Sequence, residues 1–313
     1  MVAYIAKRLA ISLLTIVVSY TLIFLLVHSS SSSPGAVRLG FGATDAEIAA
    51  ENDRLGWNDP LLSQYLGGLG DLARLDFGTS LIGGADVGKE LVDRLPVTAS
   101  IAGLATLLSG VAGTLAGVAA AVRGRAAAAV VNAGAGVGLS LPAFWLAVIL
   151  IYVFAIKLDL LPATGYVAIS ESPLGWLESL TLPVITLAVG GAAMVARVAA
   201  VGMREAMGRE HIMTLRAVGT PEWRIRYVHA LRYASLPVVA VLGIQFIVLF
   251  GGSVIIESVF ALPGLGQVAL SAAVTQDFPL LVGVVVVSTT VVVLTNLVLD
   301  LALATLDPKL RTS

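Results

Sequence analysis

One stretch of the chain has the spacing of a nucleotide-binding loop. Gly83, Gly88 and Lys89 follow the G-x-x-x-x-G-K pattern, in which backbone N–H groups cradle phosphates and the lysine reaches the terminal ones. The next residue is Glu90, where that pattern requires a serine or threonine hydroxyl to hold magnesium. No strand is predicted before the stretch, and its charge pattern assigns it to the outer side of a membrane. We therefore predict that it does not bind a nucleotide.

Other side chains that carry chemistry are scattered. The chain has no cysteine, which excludes disulfides, thiolate catalysis and zinc–thiolate sites. Its three histidines, His28, His211 and His229, lie too far apart in sequence to suggest a metal-binding motif. No catalytic triad is evident. The sequence therefore predicts neither a metal site nor catalysis by the chain itself.

The composition indicates an integral membrane protein. Apolar residues make up 58% of the chain and charged residues 12%, whereas soluble domains have about 45–50% and about 25%. The mean hydropathy of +0.95 agrees with this class. The net charge of −1 hides an uneven distribution along the chain.

Six apolar stretches are long enough to cross about 30 Å of hydrocarbon as helices. The first has 19 residues without a charge, whereas the apolar region of a secretory signal should have about 7–15. We therefore favour a retained first helix over a cleaved signal. The stretches cover about residues 9–27, 96–122, 126–156, 181–203, 234–256 and 278–305.

Residues 29–95 differ from the stretches on either side. They hold ten acidic and five basic residues, too polar a composition to enter lipid, and Thr44 and Glu47 form a capping-box pattern that predicts a short helix. We predict a small external insert here. The predicted organisation is a first transmembrane helix (1–28), the external insert (29–95), a membrane core (96–305) and a tail (306–313).

Basic residues lie mostly on one side of the predicted membrane. The segments on the side of both termini hold 12 Lys or Arg and four acidic residues, whereas the opposite segments hold six Lys or Arg and 15 acidic residues. Because cytoplasmic loops carry the excess of Lys and Arg, both termini are predicted to be cytoplasmic and the insert external.

The longest cytoplasmic segment, residues 204–232, is here called the polar loop. It has six arginines and three glutamates, and it is interrupted by Gly219-Thr220-Pro221. Thr220 is predicted to cap a second helix, with Pro221 at its first position and Glu222 in its first turn. The pattern predicts two short helices joined by a tight turn. Such a loop either fixes topology alone or docks a soluble partner.

Among the longer polar side chains, Gln245 is the one predicted to lie at mid-membrane depth. It either forms an interhelical hydrogen bond or contributes a polar contact to a translocation path. Arg197 and Asp300 are predicted near the inner surface, so no charge lies at mid-depth. The sequence therefore offers no ion-coupling site of the kind that a proton- or sodium-driven carrier needs.

Six short motifs are spread along the chain, at residues 76–81 (DFGTSL), 94–98 (RLPVT), 141–146 (LPAFWL), 161–166 (LPATGY), 257–266 (ESVFALPGLG) and 306–311 (LDPKLR). Together they resemble the motifs of the permease subunits of bacterial dipeptide and oligopeptide ABC importers, and they run in that family's order. The order and coverage carry the resemblance more than any single motif.

The resemblance implies the type I ABC importer permease fold, an all-α integral membrane protein with six transmembrane helices. It also implies that the polar loop is the family's coupling loop, in which Gly219 matches the family's glycine. Leu215 departs from the pattern, since a small residue is usual there. The implied ATPase-docking residues are Thr214, Arg216, Ala217, Gly219, Thr220, Pro221 and Glu222.

The resemblance also implies partners that the chain itself cannot replace. These are a homologous second permease subunit, two cytoplasmic ATPase subunits that bind ATP and magnesium, and an extracytoplasmic peptide-binding protein, with lipid around the spans and no nucleic acid. No cofactor is expected in this chain, and the expected location is the cytoplasmic membrane. Similar permeases serve nickel or glutathione, so these substrates stay open. An autonomous carrier or channel, or a structural subunit, remains as an alternative.

Overall fold

The computed structural model describes residues 2–30 and 32–306, so the predicted tail from residue 307 onward lies outside the described residues. Long helices dominate these ranges, with shorter helices between them. In chain order they are α1 (Val2–His28), α2 (Pro34–Leu39), α3 (Asp45–Arg54), α4 (Leu61–Ala73), α5 (Val87–Val122), α6 (Arg125–Ser140), α7 (Ala143–Leu150), α8 (Pro173–Met207), α9 (Glu210–Ala217), α10 (Glu222–Arg224), α11 (Leu231–Gly252), α12 (Val254–Val259), α13 (Leu265–Thr275) and α14 (Phe278–Leu306).

The predicted membrane spans correspond to the long apolar helices. In the described ranges, five helical stretches are long and apolar enough to cross a membrane, and a bent pair supplies a sixth span if it counts as one. The fold is therefore an all-α membrane architecture, as predicted. The five stretches are Ala6–His28, Val87–Val122, Pro173–Met207, Glu222–Gly252 and Phe278–Leu303.

The bent pair replaces the third predicted span. The axes of Arg125–Ser140 and Ala143–Lys157 differ by 98°, and Pro142 lies between them in extended conformation, with a ψ of 130°. Proline has no N–H to continue a helix and disfavours helical backbone in the preceding residue. The structure therefore shows a full break of the third predicted span at Pro142.

The chain divides into two compact units, of which the first comprises Met1–Val97 and Pro263–Leu294. In this unit the insert packs on α1, where Tyr65 and Thr21 share a hydrogen bond of 2.8 Å. The predicted capping box is confirmed, since Glu47 accepts a hydrogen bond from the Thr44 backbone and donates its own N–H to the Thr44 hydroxyl. The two hydrogen bonds of this capping box therefore stabilise the beginning of α3.

A buried carboxylate holds the beginning of α14 in the same unit. Asp277 is 2% exposed and accepts hydrogen bonds from the Ser80 hydroxyl and, at 3.2 Å, from the Leu81 N–H.

The nearby G-x-x-x-x-G-K spacing falls on a turn closed by an isolated antiparallel bridge between Thr79 and Asp86, and not on a strand followed by a loop. This stretch therefore forms a turn of the insert and the first residues of α5.

The second unit comprises Thr98–Leu262 and Thr295–Ser313, and α8 is its central helix. Small residues allow the neighbouring helices to approach α8 closely. A Cβ on Gly113 would lie 2.6 Å from the Ala192 carbonyl oxygen, and one on Gly117 would lie 2.6 Å from the Ala199 Cβ. The two glycines, which lie four residues apart on α5, therefore allow this helix to pack closely against α8.

The segment after α11 is more ordered than the predicted loop between the last two spans. It contains α12 and α13, and Glu257 of α12 is fully buried in the second unit. The hydroxyls of Thr98 and Ser253 each donate a 2.7 Å hydrogen bond to Glu257 Oε1. A buried carboxylate needs such donors. The first residue of the ESVFALPGLG motif therefore links α12 to Thr98 of α5 and to Ser253 at the end of α11.

Candidate functional site

The polar loop is helical where it leaves and re-enters the long helices. Its first residues still belong to α8, which ends at Met207. After α10 the chain continues through a π-helical stretch, Ile225–Ala230, directly into α11. Both ends of the loop are therefore continuous with long helices, and Gly208 and Arg209 separate the end of α8 from α9.

The turn of the loop is a helix-ending motif that requires glycine. Gly219 has a φ of +78°, its N–H donates to the Arg216 carbonyl oxygen at 3.0 Å, and the Thr220 N–H donates to the Leu215 carbonyl oxygen at 2.9 Å. This pair of hydrogen bonds, with a left-handed residue after the helix, is the Schellman motif. The predicted tight turn at Gly219 is thus found, with its glycine at the left-handed position.

The second helix of the loop begins one residue later than predicted. Pro221 is the N-cap of α10, with a ψ of 140°, and no side chain caps this helix. The predicted capping role of Thr220 is wrong, because the first hydrogen bonds of this helix, from the N–H groups of Arg224 and Ile225, are accepted by the Pro221 carbonyl oxygen and not by that of Thr220. Glu222 does lie in the first turn, as predicted.

Glu222 links the two sides of the turn. Its carboxylate accepts hydrogen bonds from Arg216 Nε at 2.7 Å and from Arg226 Nε at 3.2 Å. All three side chains are more than one-third exposed, so each ion pair stabilises the loop only slightly. The two ion pairs instead fix the relative position of the last turn of α9 and the π-helical stretch after α10, because one carboxylate binds both.

Two buried isoleucines anchor the loop to the second unit. Ile212 of α9 and Ile225 after α10 are both 0% exposed. Ala230 lies in a buried cluster with Met203 and Ala206 of α8 and Ala234 of α11. The loop therefore has an apolar inner side packed on the long helices, and the rest of its surface is left for contacts outside the chain.

The structure places the predicted docking residues on that outer surface. Thr220 is half-buried, and the Thr214 hydroxyl is used within α9, where it donates to the Glu210 carbonyl oxygen at 3.2 Å. The side chain of Arg216 is engaged by Glu222, as described above. The exposed residues are Thr214, Arg216, Ala217, Gly219, Pro221 and Glu222.

The sequence interpretation missed the apolar part of this surface. Trp223 is 62% exposed, Val218 71% and Met213 55%. Large apolar side chains displayed in a charged segment are typical of protein interfaces, and tryptophan is enriched among the residues that carry binding energy. A tryptophan inside a segment with six arginines was the signal in the sequence that pointed to them.

The predicted path residue, Gln245, lies in the second unit beside a cavity of about 350 Å³. The cavity is walled by the end of α6, by α7 and by facing stretches of α8 and α11. Gln245 Oε1 and Nε2 are both buried and make no hydrogen bond within the described part of the chain. The interhelical hydrogen bond considered from the sequence is therefore not formed among the residues that the structure describes.

The chain belongs to the family of binding-protein-dependent transport system inner membrane components. The model of that family matches residues 113–312, which include the polar loop and the Gln245 cavity. The fold and the family thus define a multi-pass membrane component of a transport system.

Relatives along the whole chain carry more specific names. The chain is 35% identical over 309 residues to a Sinorhizobium fredii protein named "Probable peptide ABC transporter permease protein", covering 98% of this chain and 99% of that one. It is 30% identical over 315 residues to the "Oligopeptide transport system permease protein" of Bacillus subtilis, covering 99% and 100%. It is 33% identical over 334 residues to the "Di/tripeptide transport system permease protein" of Pseudomonas aeruginosa, covering 99% of each.

A solved structure shows the same fold. A chain of the MetNI methionine ABC transporter, crystallised in inward-facing conformations, matches with a TM-score of 0.52 and 22% identity. The match covers 69% of this chain and 96% of that chain. The all-α architecture is therefore the fold of an ABC importer permease, as the sequence motifs implied.

Proposed function

We propose that this chain is the membrane-spanning permease subunit of an ABC importer that carries dipeptides or oligopeptides across the cytoplasmic membrane. The observation that carries the proposal is the full-length similarity to three permeases whose names refer to peptide transport. ATP hydrolysis in partner subunits drives the transport, and those subunits hold the ATP and magnesium.

The polar loop is the proposed docking element for the ATPase subunits. Its support is physical: both ends continue into long helices, a Schellman turn sets the direction of the chain, and Ile212 and Ile225 anchor it from below. Trp223 and Val218 then present apolar surface beside the Arg216–Glu222 pair. An apolar centre with a charged rim is the usual anatomy of a protein interface.

The remaining partners and the orientation follow from the same proposal. A homologous second permease subunit forms the path together with this chain, and an extracytoplasmic binding protein delivers the peptide. Both termini and the polar loop face the cytoplasm, which the excess of Lys and Arg on that side supports. Peptide is preferred to nickel or glutathione because the relatives' names refer to peptides.

Uptake in the native host tests the proposal. A strain lacking this gene is complemented with the native chain, and uptake of radiolabelled Ala-Leu-Ala is measured alone and with excess nickel or glutathione. We expect uptake to depend on the chain, to stop when ATP is depleted, and to resist both competitors. Chain-dependent uptake of nickel or glutathione without peptide uptake would overturn the proposed substrate, and uptake that continues without ATP would indicate an autonomous carrier.

A matched pair of variants tests the docking element. Trp223→Ala removes the exposed indole of the loop, while Phe41→Ala removes an exposed ring from the insert. If Trp223 is an interface anchor, the first variant lowers the amount of ATPase subunits that co-purify by on the order of tenfold or more, and the second leaves it unchanged. Equal retention by both variants at equal membrane levels would rule out Trp223 as an anchor.

A further inference from the structure

The cavity beside Gln245 combines an apolar wall with one unused polar group. No charged residue lines it, and its other polar lining residue is Thr186, whose hydroxyl donates to the Leu182 carbonyl oxygen at 2.8 Å. The Gln245 carboxamide is buried and without a partner in the described ranges. A buried amide in a membrane-spanning helix is costly unless something hydrogen-bonds to it.

The backbone of α8 makes room for this carboxamide. Gly191 packs directly against it, and a Cβ at Gly191 would collide with the Gln245 amide nitrogen. The Ser109 hydroxyl, which also lies beside Gly191, donates to the Ala188 carbonyl oxygen at 3.1 Å and makes no hydrogen bond to the carboxamide. The local structure thus holds the carboxamide beside the cavity without giving it a hydrogen-bond partner.

The size and openness of the cavity limit what it can hold. Its volume of about 350 Å³ lies at the lower end of the range of about 300–1,000 Å³ for small-ligand pockets. It opens on the side of Ile244 and Val248, which are 62% and 63% exposed. A cavity of this size accepts one side chain with its peptide group, and not a whole oligopeptide.

We propose that this cavity is a substrate subsite, which takes one apolar side chain of a peptide in transit while Gln245 hydrogen-bonds to a peptide group of the same molecule. This inference rests on the proposed function. A carboxamide has one acceptor oxygen and two N–H donors, so it complements the C=O and N–H of a peptide backbone. The apolar wall favours apolar side chains and penalises charged ones. A lipid acyl chain fills the cavity equally well but leaves the carboxamide unpaired.

Two variants test the subsite in the assembled transporter. Gln245→Met keeps the length of the side chain and removes the carboxamide. Val248→Phe narrows the open side, and Val130→Phe is its matched control, since Val130 is 72% exposed on α6 and does not line the cavity. Uptake of radiolabelled Ala-Leu-Ala and Ala-Gly-Ala is measured in the complemented host, and the unfolding temperature of each purified complex is recorded.

The two variants have different expected effects. Gln245→Met raises the KM for both peptides by about tenfold, the loss of one hydrogen bond, and does not lower the unfolding temperature, because the amide has no partner to lose. Val248→Phe lowers uptake of Ala-Leu-Ala relative to Ala-Gly-Ala by about tenfold, and Val130→Phe keeps the native ratio.

The outcomes separate this inference from the function on which it rests. If the native chain imports neither peptide, the proposed function fails and the subsite falls with it. If the native chain imports both but Gln245→Met keeps the native KM, the function stands and the subsite is wrong. A lowered unfolding temperature in Gln245→Met would also overturn the subsite, because the amide would then be paired with protein in the assembly.

Discussion

The sharpest prediction concerns the left-handed glycine of the polar loop. Gly219 has a φ of +78°, and a Cβ built on it meets no described heavy atom within 4 Å. Gly219→Ala therefore adds backbone strain and no collision. A left-handed non-glycine residue costs about 1–2 kcal/mol, so the turn seen here becomes about 5- to 30-fold less favoured relative to other conformations of the loop.

Matched variants isolate this strain from other effects. Gly208→Ala lies in the same loop, but Gly208 has a φ of −85° and its Cβ would meet other atoms at no less than 3.7 Å, so it should behave as the native chain. Gly219→Asn should fall between, since asparagine tolerates the left-handed region. Gly219→Pro is the severest change, because proline cannot adopt this φ and loses the N–H that bonds to the Arg216 carbonyl oxygen.

The assay is peptide uptake per ATP hydrolysed, with the amount of chain in the membrane measured in parallel. We expect Gly219→Pro to uncouple transport, Gly219→Ala to lower coupled uptake several-fold, and every variant to reach the membrane at the native level. If Gly219→Ala and Gly219→Pro import peptide as well as Gly208→Ala does at equal membrane levels, the conformation of this turn does not couple ATP hydrolysis to transport.

Two further predictions concern packing in the second unit. Glu257→Ala removes the buried acceptor of the Thr98 and Ser253 hydrogen bonds and should destabilise the chain by about 1–3 kcal/mol, read as a lower unfolding temperature in detergent; unchanged unfolding would show that other acceptors, such as the Phe250 carbonyl oxygen that Ser253 already contacts, replace the carboxylate. Gly117→Ala places a Cβ 2.5 Å from a carbonyl oxygen of α8 and should cost about 1–3 kcal/mol by overpacking. Gly103→Ala in the same helix meets nothing within 4 Å and should be neutral, and equal stability of the two variants would contradict the close packing.

The spans and the glycine turn could be predicted from the sequence because each depends on local chemistry. Apolar length decides which helices can cross a membrane, and Gly219 is the residue type that ends a helix in the left-handed conformation. The capping box at Thr44 was confirmed for the same reason, since its two hydrogen bonds join residues three apart. The positions of the long helices along the chain follow from the order of the apolar stretches and the polar segments between them.

Features that depend on distant residues could not be predicted in this way. The start of α10 at Glu222, with Pro221 and not Thr220 as its N-cap, depends on which carbonyl oxygen accepts the first helical hydrogen bonds, and the residue types alone do not fix this. The 98° break at Pro142 could not be derived from the residue type, because proline alone does not set an angle. The room for the Gln245 carboxamide is left by Gly191, which lies far away in the sequence.

The most direct test of the account is to identify what the chain binds in its own host. The tagged native chain and a variant with residues 213–222 replaced by Gly-Ser are extracted in mild detergent, and the co-purifying proteins are identified by mass spectrometry. We predict a second permease subunit with both chains, and ATPase subunits with the native chain alone. If the native chain purifies without ATPase subunits under conditions that preserve other complexes, or if the variant retains them, the docking role of the polar loop is contradicted.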